Sequence, residues 1–321
     1  MKAVRIHEFG DVDVLRWEDA PVPKPRPGQV LIKVDSAGVN YADIMRRGGS
    51  YPGPNLPATL GLEAAGRVVE LGEGVAGLTV GQPVMAMGPG GQAEYMAVNA
   101  NFVFPYPETI EPVEAGGMAI VFLTAYHLLK SRGQMQPGDT VLVQAGASGV
   151  GTVAIQLAKV WGGRVIATAS TQEKLDLARS LGADVTINYA TQDFEAEVQQ
   201  QTAGKGVELV LECVGGPVLE KSLRCVASYG RLISYGNASG TPASLPAAEI
   251  TSANRTVIGF SIGRSPVGRL DHKGAMAELF PMISGGKVRL VVDRVLPMSQ
   301  VADAHHHLAN RGTRGKVILR P

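Results

Sequence analysis

One local pattern limits what this chain can fold into. An apolar strand, Thr140–Gln144, runs into the glycine turn Gln144-Ala145-Gly146-Ala147-Ser148-Gly149-Val150-Gly151 and on into a helix. In that helix Val150, Val153, Ala154, Leu157, Ala158 and Trp161 recur at helical spacing. Laid on a GxGxxG pattern the turn reads Gly146-x-Ser148-x-x-Gly151, with Ser in the second glycine slot and Gly149 beside it. Such a turn serves a tight reversal after the strand, close backbone approach to a pyrophosphate, and a small residue where helix meets sheet. Free N–H groups at the helix N-terminus then face the anion. A glycine turn alone is weak evidence. Strand, turn, helix and a following strand, Arg164–Thr168, together are the context the motif requires. A dinucleotide site holding Gly146, Ser148, Gly149, Val150 and Gly151 is expected, against the alternative of a purely structural turn.

The rest of the second half repeats the alternation. Helix Thr171–Leu181 stops at Gly182, and strands follow at Val185–Ile187, Val207–Glu212, Arg231–Tyr235 and Val257–Phe260. This βαβ rhythm predicts an α/β fold with a parallel sheet covered by helices. The first hundred residues instead read as short strands, such as Val30–Val34 and Ala65–Leu71, broken by Pro and Gly. The closing strand Gly315–Leu319 is expected to return to this first part, because the tail alone is too small for a core. With 321 residues, two domains are expected.

Charge excludes some partners. Thirty basic residues against 29 acidic leave a formal net charge of +1, which gives no pull toward nucleic acid or an anionic membrane. The longest nearly apolar stretch, Gly116 to Leu129, is too short to span a bilayer. Cys213 and Cys225 cannot build a secreted disulfide framework and read as a reduced interior pair. No signal core is present at the N-terminus, so a cytoplasmic location is expected.

The end of the second strand indicates which dinucleotide. An NAD site usually carries Asp or Glu there for the ribose 2′-hydroxyl. Here the residues are Ala167-Thr168-Ala169-Ser170-Thr171, with no acid. Ser170-x-x-Glu173 reads as a capping box opening the next helix. Lys174 then sits in the first turn, poorly placed against the helix dipole unless it shares an anion with the free N–H groups. The 2′-phosphate of NADPH would be that anion; a solvated surface lysine is the alternative.

With these residues in hand, the chain resembles the quinone oxidoreductase (zeta-crystallin-like) branch of the zinc-independent medium-chain dehydrogenase/reductase superfamily. The marks are Ala37-Gly38-Val39-Asn40-Tyr41-Ala42-Asp43, Gly61-Leu62-Glu63-Ala64-Ala65-Gly66, Phe122-Leu123-Thr124-Ala125-Tyr126, the phosphate turn with Ala154-Ile155-Gln156-Leu157-Ala158, and Gly315-Lys316-Val317-Ile318-Leu319. The resemblance implies a mainly β GroES-like catalytic domain, residues 1–120 plus 266–321, around an inserted Rossmann-type doubly wound parallel sheet, residues 121–265. It further implies an active site in a cleft and a homodimer joined through the nucleotide-binding domains. Zinc-dependent relatives place Cys at the position of Asn40 and His at that of Leu62, and neither residue here suits zinc. His305-His306-His307 is no metal tract either, because adjacent helical residues point about 100° apart. No metal is expected.

Hydride transfer to a quinone or activated alkene needs a partner for the developing oxyanion and a proton donor. Asn40 and Tyr51 are the candidate partners, with Thr124, which matches a threonine lining the nicotinamide site. Asn40 could equally be a helix N-cap with Asp43 at the third helical position. Tyr189, Gly236, Asn237, Phe260 and Ser261 match family positions beside the cofactor, and Lys316 a basic residue near it. The expected activity is NADPH:quinone reduction. An NADPH-dependent enoyl or 2-alkenal reductase and an NADPH-binding protein of low turnover are the alternatives.

Overall fold

The computed structural model describes residues 1–50 and 55–321. Two compact units form: Met1–Val121 with Asp271–Pro321, and Phe122–Leu270. These boundaries differ from the 120/121 and 265/266 expected from sequence by one and five residues. Among the described residues, eight strands precede the second unit: β1 (Lys2–Ile6), β2 (Arg16–Asp19), β3 (Gln29–Val39), β4 (Ala58–Thr59), β5 (Glu63–Leu71), β6 (Pro83–Met87), β7 (Tyr95–Asn99) and β8 (Val103–Pro105). The second unit holds β9 (Thr140–Val143), β10 (Arg164–Ala169), β11 (Val185–Asn188), β12 (Val207–Glu212), β13 (Val226–Ser234) and β14 (Thr256–Gly259). The tail adds β15 (Val292–Pro297) and β16 (Lys316–Arg320).

In the first unit β16 pairs antiparallel with β3, Val317 opposite Val39 and Ile318 opposite Gly38. This pairing makes the chain's end part of the first unit. The larger sheet runs β15-β16-β3-β5-β6-β8 with β7 also on β3, and β2-β1-β4 form a second sheet. Val4, Ile32, Val34, Leu60, Val84, Met96 and Leu319 are buried together between these elements.

The second unit is one parallel sheet in the order β11-β10-β9-β12-β13-β14. Counted from β9 this is 3-2-1-4-5-6, whose switch point between β9 and β12 is where open α/β sheets bind ligands, beyond the carboxyl ends of the strands. Leu142, Ile166, Val210 and Leu232, one from each central strand, are fully buried in its core. Each such side chain contributes about 1.5–3 kcal/mol by leaving water. One strand begins earlier than its sequence pattern: β13 starts at Val226, not Arg231. Its pairing with β12 jumps from Val207–Val226 to Leu209–Arg231, and Tyr229 takes a φ of 62° in the irregular stretch. The polar run Ala227-Ser228-Tyr229-Gly230 conceals the strand from an alternation search.

Candidate active site

The helix Gly149–Val160 begins at Ser148, whose hydroxyl accepts the Gly151 N–H at 3.1 Å. Gly149 and Val150 are its first two residues, so their N–H groups have no acceptor within the helix. The turn is pinned to the neighbouring strand by Gly146 N–H donating to Thr168 O at 2.8 Å. A Cβ on Gly151 would lie 2.3 Å from Ala145 O, and one on Gly146 would lie 2.9 Å from Ala167 Cβ. Both glycines are therefore required by space. Beneath the turn, buried Gln144 donates to Ser222 Oγ at 3.0 Å and accepts from Thr168 Oγ1 at 2.6 Å. This satisfied buried network makes the base of the turn rigid. Close backbone approach, donors at a helix start and a stiff base fit a pyrophosphate.

At the end of β10 the structure corrects the cap. The N-cap of helix Gln172–Ser180 is Thr171, not Ser170, and its hydroxyl accepts the Lys174 N–H at 3.4 Å. Strand β10 runs one residue further than expected, to Ala169, so the extended backbone carries past Ser170. Ser170 is left half-buried at the strand's end, and Lys174 remains in the first turn. Tyr189 follows β11 with its N–H donating to Ala169 O at 3.1 Å, and its ring is exposed. Ser170, Lys174 and Tyr189 thus gather at one carboxyl edge.

The loops after β12 and β13 are laced together. Tyr235 N–H donates to Glu212 O, Ala238 N–H to Cys213 O and Ser239 N–H to Val214 O, at 2.8, 3.0 and 2.8 Å. A Cβ on Gly215 would lie 2.1 Å from Asn237 Oδ1, and one on Gly236 would lie 3.0 Å from Cys213 O. Asn237 and Gly236 therefore rest directly on the Cys213–Gly215 turn. Glu212, to which the sequence reading gave no role, holds that turn: Oε1 accepts the N–H groups of Val214 at 2.6 Å and Gly215 at 3.0 Å. Burial raises its carboxyl above the ordinary range, against those two hydrogen bonds. Phe260 N–H donates to Ser234 O at 2.9 Å, Ser261 caps the short turn Ile262–Arg264, and Thr124 is buried in helix Ala119–Tyr126.

In the first unit the β3–β16 pairing sets Lys316 beside Asn40. Lys316 Nζ lies 2.6 Å from Asn40 Oδ1 and 2.7 Å from Glu63 Oε1. Asn40 Nδ2 donates to the same Glu63 oxygen at 2.9 Å, and Glu63 Oε2 accepts the Ile120 N–H at 2.8 Å. Glu63 is fully buried and Lys316 is 2% exposed, whereas Asn40 is half-buried. A Cβ on Gly38 would lie 2.5 Å from Glu63 Oε1 and 2.6 Å from Lys316 Cε, so the ion pair needs glycine there. Asn40 is the N-cap of helix Tyr41–Arg47, and its backbone N–H donates to Asp43 Oδ2 at 2.8 Å. Burial pushes the Asp43 carboxyl up to about 7, against the Asn40 hydrogen bond and the nearby Lys316. Tyr51 lies outside the described residues.

The three histidines of helix Val301–Ala309 diverge. His305 is buried against Arg47 at 3.3 Å, His306 faces Asn310 at 3.0 Å and His307 pairs with Asp293 at 2.7 Å. Among the described residues no three or more His, Cys, Asp or Glu side chains are grouped to hold a metal ion. Nor, among them, is any helix long and apolar enough to cross a membrane.

Comparison with known proteins identifies the lineage. Residues 26–108 match the alcohol dehydrogenase GroES-like domain, and residues 149–284 match the zinc-binding dehydrogenase family. A 2-haloacrylate reductase of Burkholderia is 33% identical, covering 99% of this chain and 98% of that protein. A quinone oxidoreductase of Pseudomonas aeruginosa is also 33% identical, covering 100% of this chain and 99% of its own length. The chain belongs to the quinone oxidoreductase branch of the medium-chain dehydrogenase/reductase superfamily. The crystal structure of Escherichia coli quinone oxidoreductase complexed with NADPH superposes with a TM-score of 0.95 at 29% identity, covering 100% of both chains. In this medium-chain oxidoreductase the first unit is accordingly the GroES-like domain and the parallel sheet the Rossmann-type one. The zinc in one family description finds no ligand set at Asn40. The amide oxygen faces an ammonium there, and Leu62 offers no donor. The residues do not fit zinc.

Proposed function

We propose that this oxidoreductase is an NADPH:quinone reductase that works without zinc. The observation that carries the cofactor choice is the carboxylate-free end of β10, Ala169-Ser170-Thr171, with Lys174 in the first turn of the next helix. A 2′-phosphate satisfies that edge where a bare ribose hydroxyl does not. Bound NADPH would supply the hydride. The chain's part is then to hold the dinucleotide on Gly146–Gly151, with Ser170, Lys174 and Tyr189 on the 2′-phosphate side. Gly236, Asn237, Phe260 and Ser261 complete the cofactor set, with Thr124 lining the nicotinamide site and Lys316 nearby. Asn40 donates an amide hydrogen bond to the acceptor oxygen as negative charge develops on it, and Tyr51 supplies a phenol.

The Burkholderia relative favours a second reading, because a 2-haloacrylate is an alkene conjugated to a carboxylate. The same donors serve an enoyl or 2-alkenal reductase. NADPH oxidation assayed with a quinone panel and with α,β-unsaturated carbonyls, each with and without a chelator, separates the readings. Faster turnover of quinones, unaffected by chelator, supports the proposal. Preference for alkenes favours the second, and tight NADPH binding without turnover an NADPH-binding protein of low turnover. Homodimerisation and a cytoplasmic location belong to the same proposal; sedimentation and cell fractionation test them.

A further inference from the structure

We propose that Glu63 and Lys316 are positioning residues that lock the Asn40 amide in one orientation, so that it can act only as a hydrogen-bond donor. The inference rests on the reading of Asn40 as the oxyanion partner. A primary amide offers an acceptor oxygen on one side and two N–H donors on the other, and a half-turn exchanges them. A lysine ammonium has donors only, so the amide atom facing Lys316 Nζ is the oxygen. A carboxylate has acceptors only, so the atom facing Glu63 Oε1 is the nitrogen. Both partners select the same orientation. The flipped amide would set N–H against ammonium and oxygen against carboxylate, at 2.6 and 2.9 Å.

The frame that imposes this choice is itself fixed. The second oxygen of Glu63 is taken by the Ile120 N–H at 2.8 Å, which holds the carboxylate plane. A Cβ on Gly38 would lie 2.5 Å from Glu63 Oε1, and one on Gly117 would lie 2.8 Å from Lys316 Cγ, so the pair is boxed in by two glycines. Of the two Nδ2 protons one is bonded to Glu63, and the other remains for an acceptor. Burial divides the labour. Glu63 is fully enclosed and Lys316 nearly so, while Asn40 is half-buried. A small molecule reaching this network meets Asn40, and the two charged residues act through it.

The test combines kinetics with a spectroscopic readout. Lys316→Met and Glu63→Gln should each lower kcat roughly tenfold to a hundredfold, somewhat less than the ~10²–10³ expected for losing an oxyanion donor outright. NADPH affinity of Glu63→Gln should stay within twofold. In an Asn40→Ala background the same substitutions should cost nothing further. If their losses multiply with that of Asn40→Ala, or if kcat is unchanged, the positioning role is overturned. A wild type idle with every acceptor overturns the functional reading instead.

The lock itself is read without turnover. With selective ¹⁵N-asparagine labelling, the Asn40 side-chain protons should be far more inequivalent than in a solvated amide and slow to exchange, and Glu63→Gln should shrink the difference to the ordinary solvated one. Ordinary, solvent-like shifts in the wild type would overturn the lock. Should Lys316→Met fail to fold, Glu63→Gln together with Lys316→Met removes both charges and serves in its place.

Discussion

The Lys174 backbone N–H donates to the Thr171 hydroxyl at 3.4 Å, which seats Lys174 at the third position of helix Gln172–Ser180. At that position a cation opposes the positive end of the helix dipole unless an anion lies between them. Lys174→Ala should weaken NADPH binding by about 1.5–3 kcal/mol, the range of a charged hydrogen bond, and leave NADH nearly unchanged. Fluorescence titration with both cofactors checks it, and equal losses would remove Lys174 from the 2′-phosphate site.

Gly151→Ala tests the turn itself. Its new methyl would sit 2.3 Å from Ala145 O, a backbone atom that moves only if the turn opens. A stability loss of about 1–3 kcal/mol is expected from such overpacking, with at least a comparable loss in dinucleotide affinity. Thermal melts with and without NADPH report both. An unchanged melting point would mean that the turn has slack that the structure does not show.

How much of this was legible in the chain follows from distance along it. Every part of the phosphate turn lies within a dozen residues, so the strand, the turn at Gly146–Gly151 and the helix after it could be read together. The cap was misassigned by one residue, because Ser170 and Thr171 are both good caps and only the true end of β10 decides between them. Glu63 stands in the sequence only as part of the mark Gly61–Gly66, with no role to read. Its partners Asn40 and Lys316 are 276 residues apart, joined only by the β3–β16 pairing. Glu212 escaped for the opposite reason. Its partners are its immediate neighbours Val214 and Gly215, and nothing in residue type distinguishes a turn-holding carboxylate from an ordinary strand end.

The Lys316–Glu63 pair should behave as buried ion pairs do when halved. Lys316→Met leaves the Glu63 charge enclosed without its cation, which costs about 3–5 kcal/mol. Adding Glu63→Gln removes the orphaned charge and should recover most of that loss. Denaturant melts of the single and double variants decide it. If the double variant is less stable than Lys316→Met by itself, the pair's contribution is not one of charge.

Asp43 carries the clearest dependence on pH. Burial raises its carboxyl from 3.8 to about 7, with the Asn40 N–H, Lys316 and Arg46 opposing that rise and Glu63 adding to it. Between those two values the unfolded chain has released this proton while the folded chain keeps it, so folding from this group weakens as pH rises. Its contribution is complete below 3.8 and is lost as pH climbs through about 7. Asp43→Asn retains an oxygen for the Asn40 N–H but cannot ionise. The variant should therefore gain on the wild type steadily through that window, by a few kcal/mol in total, and the gap should level off above it. Stability measured by denaturant melts at a series of pH values gives the difference curve. A flat difference, or one that grows toward acid, would mean that Asp43 is ionised in the folded protein across the whole range.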